Sequence, residues 1–398
     1  MLIVFSFFIS LFGILRSKEQ HTIFWISHSS ILFVLLFAAD FGLYTNLFGV
    51  YVFLYIILCL VFTLYTPTIS LPDLENDIYF SNERVTALGV LLGVISLFLY
   101  ILGAGGVDSV TRSWVDIATT RSNFQLFVTN LSQLLFLLSL ALLLSVFYVS
   151  RSVKSVVFML IITVAFLALT RVKAYLLPLI FPIMALYINE NKNKPFKIVV
   201  FGFLFSLSTI FLYLLTTFFR WIGSSDKWDS QHFVDVFQNV IDKGVERNLI
   251  QQSTSIFNYY VESDKLLGQT YFSIFNPVFR VFGHEVENPM YLYSNLIYGQ
   301  SFEMRGSAHP TVYVDAFANF GPFGILTGPF WLLLIHHLYK YCSSKGVVGI
   351  MIFYVSIAYS IPLISRGSVY YGTLYLAISL LFMLISHRIL CHFYLKKI

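Results

Sequence analysis

The sequence predicts an all-α, polytopic integral membrane protein with about eleven transmembrane helices and one large loop outside the membrane. Three observations carry this. Hydrophobic residues make up 58% of the chain and charged residues 11%, against roughly 25% charge in an ordinary soluble domain, and the mean hydropathy is +0.78. Eleven apolar runs of 14 residues or more follow one another along the sequence. The only long polar interruption, about residues 219 to 310, falls between the eighth run and the ninth.

The runs lie near 2–15, 23–39, 47–64, 85–103, 124–149, 155–170, 174–188, 198–218, 322–339, 347–364 and 369–387. Most approach the roughly 20 residues that a spanning helix needs, and the shortest require apolar flanks or local bilayer thinning. The first, in MLIVFSFFISLFGILRSKEQ, has no basic residue before it and no small-residue cleavage site after it, so it reads as a retained helix. Orientation follows from short loops, because Lys and Arg accumulate on the cytoplasmic side. An outside N-terminus places Arg16, Lys18, Arg151, Lys154, Lys192, Lys194, Lys197, Lys340, Lys345, Arg388, Lys396 and Lys397 inside. The C-terminus is then cytoplasmic, and the long loop is periplasmic if the cell is Gram-negative.

The chain divides accordingly into an N-terminal helix bundle, 1–218, a periplasmic loop, 219–310, and a return segment with the C-terminal helices, 311–398. Within the loop, Phe233, Val236, Phe237, Val240, Ile241, Val245 and Leu249 recur at helical spacing, with Asp235, Asn239, Asp242, Lys243 and Glu246 opposite. Such a helix either lies on the membrane surface or packs on neighbouring protein.

Several function classes are disfavoured. The net charge of +5 is scattered over many loops, without the basic tract of a nucleic-acid binder. Three cysteines, Cys59, Cys342 and Cys391, form neither a disulfide framework nor a CxxC site. No metal-ligand spacing is present, and the adjacent His336 and His337 point about 100° apart on a helix. No internal repeat is visible, and the long loop breaks any symmetry between halves, against a repeat-built secondary transporter.

The candidate site rests on charges that break the inside rule. Arg171 and Lys173 in LTRVKAYLLPL, and Arg366 in IPLISRGSVYYG, fall at outward helix ends. An arginine there either snorkels to lipid headgroups or binds phosphate, whose oxygens match its planar fork of donors. In RGSAHPTVYVDAFANFGPFG, His309 precedes Pro310, and Pro favours a first helical turn, so His309 sits beside unpaired N–H groups that attract anions. Arg305 lies just upstream. Asp315 is the sole carboxylate of the helix that Gly321 and Pro322 interrupt, and it is either a partner of Arg305 or a backbone group, or a base.

The helix ending in Arg171, the large outer loop, the RGSAHPTVYVDAFANFGPFG segment and the late Arg366 together resemble O-antigen polymerases of the Wzy type. The layout covers the whole chain. The sequence-specific likeness is limited to about residues 165–180 and 299–330, with an echo at 362–372. In the family an Arg follows small residues at a helix end, and an acidic residue precedes an aromatic-Asn-Phe-Gly-x-x-Gly pattern. Arg171 and Asp315 take those places here, with two departures: Leu169 and Thr170 only partly supply the small residues, and Lys173 adds a cation.

The resemblance implies a glycosyltransferase C-like fold in the bacterial inner membrane. It also implies transfer of a growing glycan from undecaprenyl pyrophosphate onto another lipid-linked oligosaccharide repeat unit, making O-antigen polysaccharide for lipopolysaccharide. Arg171, Lys173, Arg305 and Arg366 would bind the diphosphate, Asp315 would act as the base and His309 would position the acceptor or diphosphate, with no metal or cofactor and with a chain-length regulator as a further partner. An O-antigen ligase shares this layout and uses outward arginines and a loop histidine. A lipid-linked oligosaccharide flippase is the transporter alternative, disfavoured by the scarcity of intramembrane carboxylates.

Overall fold

The computed structural model describes residues 1–38, 46–69, 82–106, 122–170, 172–202, 247–276, 282–283, 289–299, 310–367 and 369–390. Among these the chain is all α, without a strand. Among the described residues seven helices are long and apolar enough to cross a membrane: α3 (Asn46–Tyr65), α4 (Asn82–Gly103), α5 (Asn123–Ser150), α6 (Val153–Thr170), α13 (Gly346–Ser365), α14 (Val369–Leu390) and the continuous stretch Val312–Ser343, which contains α11 (Val312–Phe320) and α12 (Thr327–Ser343). Three more of the apolar runs form shorter helices, α1 (Leu2–Arg16), α2 (Thr22–Ala38) and α7 (Leu177–Asn191). The run at 198–218 falls almost wholly outside the described residues. The protein is therefore multi-pass by length and composition, with seven such crossings among the described residues.

The chain packs as two compact units built from interleaved stretches. The first comprises Met1–Thr68, Lys243–Leu338 and Ser360–Ala377. Here α1 packs against α2 and α3, with Gly13 leaving room for the Trp25 indole and Trp25 Nε1 donating to Thr63 Oγ1 at 3.1 Å. A buried polar knot closes one end of this unit. Gln20 Nε2 reaches Pro67 O at 3.3 Å and His336 Nδ1 at 3.1 Å, and His21 Nε2 meets Leu332 O at 3.2 Å. The α1–α2 turn, the exit of α3 and the far half of α12 (Thr327–Ser343) thus share an end, as alternating helix directions require.

The return segment is built as the sequence suggests, for a local reason. Helix α11 (Val312–Phe320) stops at Gly321, whose φ of 59° favours glycine, and a short 3-10 run, Gly321–Leu326, carries Pro322 before α12 begins. The break seats α3. A Cβ on Gly324 would overlap Ala316 O and the Tyr51 hydroxyl, and one on Gly328 would overlap Cys59 Sγ. Small residues let two helices approach closely where lipid offers no hydrophobic drive for association.

The second unit comprises Ile69–Asp242, Tyr339–Tyr359 and Ile378–Ile398. Its most extensive packing is between α4 and α5, and the same small-residue device operates. Ser139 donates to Gly89 O at 2.7 Å and Ser132 to Ser96 O at 2.8 Å. Ser122 and Gln125 form a reciprocal cap at the start of α5, and Arg151 ends it with φ 53°. Phe166 of α6 stacks on Phe136, and Tyr175 stacks on Tyr359. The exposed Arg151 pairs with Glu190, which stabilises little in itself.

Candidate functional site

Asp315 lies one turn into α11 and is almost fully buried, at 1% exposure. An unpaired carboxylate in such a place is costly, so its partners matter. Tyr293, on α10 (Pro289–Tyr298), donates its hydroxyl to Asp315 Oδ1 at 2.7 Å, and Thr270, on the short α9 (Gln269–Phe272), donates to Oδ2 at 3.3 Å. The Tyr271 hydroxyl lies near Asp315 and Thr327 without a well-aligned bond to either. Burial, and then the neighbouring Asp315, push the Tyr293 phenol well above its ordinary range, which keeps it a donor.

Asn319, one turn after Asp315, completes the knot. Its amide donates to Thr270 Oγ1 and to Asp315 O, both at 2.7 Å, and its Oδ1 accepts from the Thr270 backbone N–H at 3.2 Å. Asp315 and Asn319 therefore act as a ladder at i, i+4 on one face of α11. The ladder binds two separate pieces of the long loop, α9 and α10. The stretch before α9 is also stitched on, because Leu266 N donates to Ala318 O at 2.9 Å and Lys265 Nζ stands over the Phe317 ring at 5.1 Å.

The loop helix α8 (Arg247–Glu262) approaches α11 on an aromatic face. Phe257 packs against Phe317, with ring centroids 4.4 Å apart, and against Phe48 at 5.0 Å. Leu249, Ile250, Ser253, Ile256, Phe257 and Tyr260 are buried at helical spacing. Thus α8 lays its apolar face on protein. The amphipathic run expected at 233–249 lies outside the described residues apart from its last positions, where Leu249 is buried.

At its N-terminal end, α11 meets the turn after α13. The Thr311 backbone N–H donates to Ser253 Oγ at 3.1 Å. Gly367, with φ 96°, lies so close to Pro310 that a Cβ there would overlap the Pro310 carbonyl oxygen. Arg366 is the residue before that contact and is partly exposed. Two of the expected elements, the Arg366 turn and the start of the return helix, are thereby brought together.

The other expected residues are placed as follows. Lys173 opens a 3-10 turn, Lys173–Leu176, in the second unit and is partly exposed. Just before it, the Val172 N–H donates to Thr170 Oγ1 at 3.4 Å. Arg171, Arg305 and His309 lie outside the described residues. Tyr293, Thr270 and Asn319 are additions that sequence reasoning did not single out. Asn319 stood inside the AlaPheAlaAsnPheGly pattern and was the one legible signal; Tyr293 was one tyrosine among 25.

The arrangement offers a hydroxyl-rich, carboxylate-centred knot beneath a helix start, with an arginine-bearing turn beside that start. Chemically it can hold a guanidinium near the start of α11 while fixing the loop segments around it. In comparisons with known proteins, no family, no characterised protein and no solved structure matches this chain.

Proposed function

We propose that this protein polymerises undecaprenyl-pyrophosphate-linked oligosaccharide repeat units into O-antigen polysaccharide at the periplasmic face of the bacterial inner membrane, within a glycosyltransferase C-like fold. The observation that supports it best is the contact of Gly367 with Pro310, which brings the Arg366 turn to the start of the return helix. A guanidinium beside a helix N-terminus suits a diphosphate, since both supply donors to its oxygens.

In the proposed reaction the acceptor hydroxyl oxygen attacks the anomeric carbon of the donor glycan. The bond from that carbon to the diphosphate oxygen breaks, and undecaprenyl pyrophosphate leaves with the electron pair. Arg366 neutralises the departing diphosphate, where a preorganised cation contributes most, and Arg171, Lys173 and Arg305 are given the same role by the resemblance alone. The acceptor proton goes to a base. Asp315 is buried and both its oxygens already accept hydrogen bonds, from Tyr293 and Thr270, so its enclosure favours His309 as the base, the side chain suited to proton transfer near neutral pH. Asp315 then becomes a positioning residue that holds the loop to α11.

The surface glycan of a deletion strain tests this reading. Lipid A core carrying a single repeat unit is the expected result, and complete absence of repeat units would assign the protein to ligation or flipping.

A further inference from the structure

Within the second unit, α4, α5 and α6 frame a groove of about 940 Å³. Its wall along α4 runs from Glu83 through Val90 to Val94. The eleven helical steps between Glu83 and Val94, at about 1.5 Å each, make about 16 Å, close to the depth of one leaflet in a hydrocarbon core of roughly 30 Å. The groove therefore has about the length of a single acyl chain.

Its chemistry changes along that length. The inner part is apolar, with Leu91, Val94 and Phe158, whereas the end at the helix termini holds Glu83, Ser150, Ser152 and Lys154. Glu83 and Lys154 are exposed, and neither has an ion-pair partner among the described residues. An interface that offers one carboxylate, one ammonium and two hydroxyls above an apolar slot complements a zwitterionic headgroup. Lys154 would pair with the phosphate and Glu83 with the headgroup ammonium. A singly anionic lipid carries the same phosphate for Lys154 but no ammonium for Glu83.

We propose that this groove is a binding site for one zwitterionic phospholipid of the surrounding leaflet, with an acyl chain along α4 and the headgroup between Glu83 and Lys154. The site is independent of the glycan-polymerising reading, because none of its residues belongs to that machinery.

The test is lipid retention by the full-length purified protein, read by native mass spectrometry in detergent containing equal amounts of palmitoyl-oleoyl phosphatidylethanolamine and palmitoyl-oleoyl phosphatidylglycerol. The wild type should retain phosphatidylethanolamine by about fivefold over phosphatidylglycerol, the selectivity that one exposed ion pair supports at its upper range. Glu83→Lys should turn the preference toward phosphatidylglycerol, because the end then carries two cations. Leu91→Trp, which fills the slot without changing charge, should lower retention of both lipids. Both variants alter exposed positions, and their unfolding temperatures are measured alongside to verify folding. Equal retention of the two lipids by the wild type, or unchanged retention by Leu91→Trp, overturns the proposal.

Discussion

Gly367 lies against the carbonyl oxygen of Pro310, so the turn that carries Arg366 and the first turn of α11 occupy one place. The contact admits no side chain, and the φ of 96° independently disfavours one. Gly367→Ala should therefore destabilise the protein by more than the roughly 1 kcal/mol of a purely backbone penalty, since the Cβ must also displace Pro310. Thermal unfolding of the detergent-solubilised variant measures this. A wild-type midpoint would mean that the turn moves aside at no cost.

The bond between Tyr293 and Asp315 makes a different demand. Tyr293→Phe removes the donor and leaves a buried carboxylate oxygen short of a partner, which costs roughly 1–3 kcal/mol. Thr270→Val removes the donor to the other oxygen. The two residues share one carboxylate, so their effects should not add. A double-mutant cycle on unfolding free energy checks this, and strict additivity would contradict the shared-carboxylate geometry.

Close packing of α3 on the break between α11 and α12 predicts that Gly328→Ala is damaging and that Cys59→Ala partly repairs it. The added Cβ would overlap Cys59 Sγ most severely, and removing that sulfur relieves the tightest contact while the Tyr55 ring stays close. Folded yield by fluorescence-detected size exclusion should fall for the single variant and recover in the double. Loss without any recovery would place the obstruction elsewhere.

These three relationships differ in how far the sequence announced them. The break at Gly321 and Pro322 was legible because both residues act on the backbone locally. The proximity of Arg366 to the return segment was legible in outline, because both lie at the same end of alternating apolar runs. The partners of Asp315 were not. Thr270 and Tyr293 come from separate pieces of a long polar loop, and no periodicity within either piece says which hydroxyl meets which carboxylate. The close seats at Gly324 and Gly328 were equally silent, since a glycine in an apolar stretch does not name the helix that approaches it.

The orientation inferred from loop charges predicts that Val172 and Asp264 both face the periplasm. Cysteines placed there, in a background with Cys391→Ser and the buried Cys59 and Cys342 retained, should react with a membrane-impermeant thiol reagent in intact spheroplasts. Reaction only after lysis would invert the topology and remove the proposed site from the compartment of its substrate.

The central claim is that this chain joins lipid-linked repeat units with arginines on the departing diphosphate. The direct measurement is incubation of the purified, reconstituted protein with a synthetic undecaprenyl-pyrophosphate-linked repeat unit, following glycan length by gel and the release of undecaprenyl pyrophosphate by mass spectrometry. The account predicts a ladder of products with one undecaprenyl pyrophosphate released per linkage formed, and severe loss of both signals in Arg366→Lys, because lysine offers a point charge in place of a two-pronged donor. Undiminished polymerisation by Arg366→Lys, or no ladder from folded wild-type protein, would contradict it.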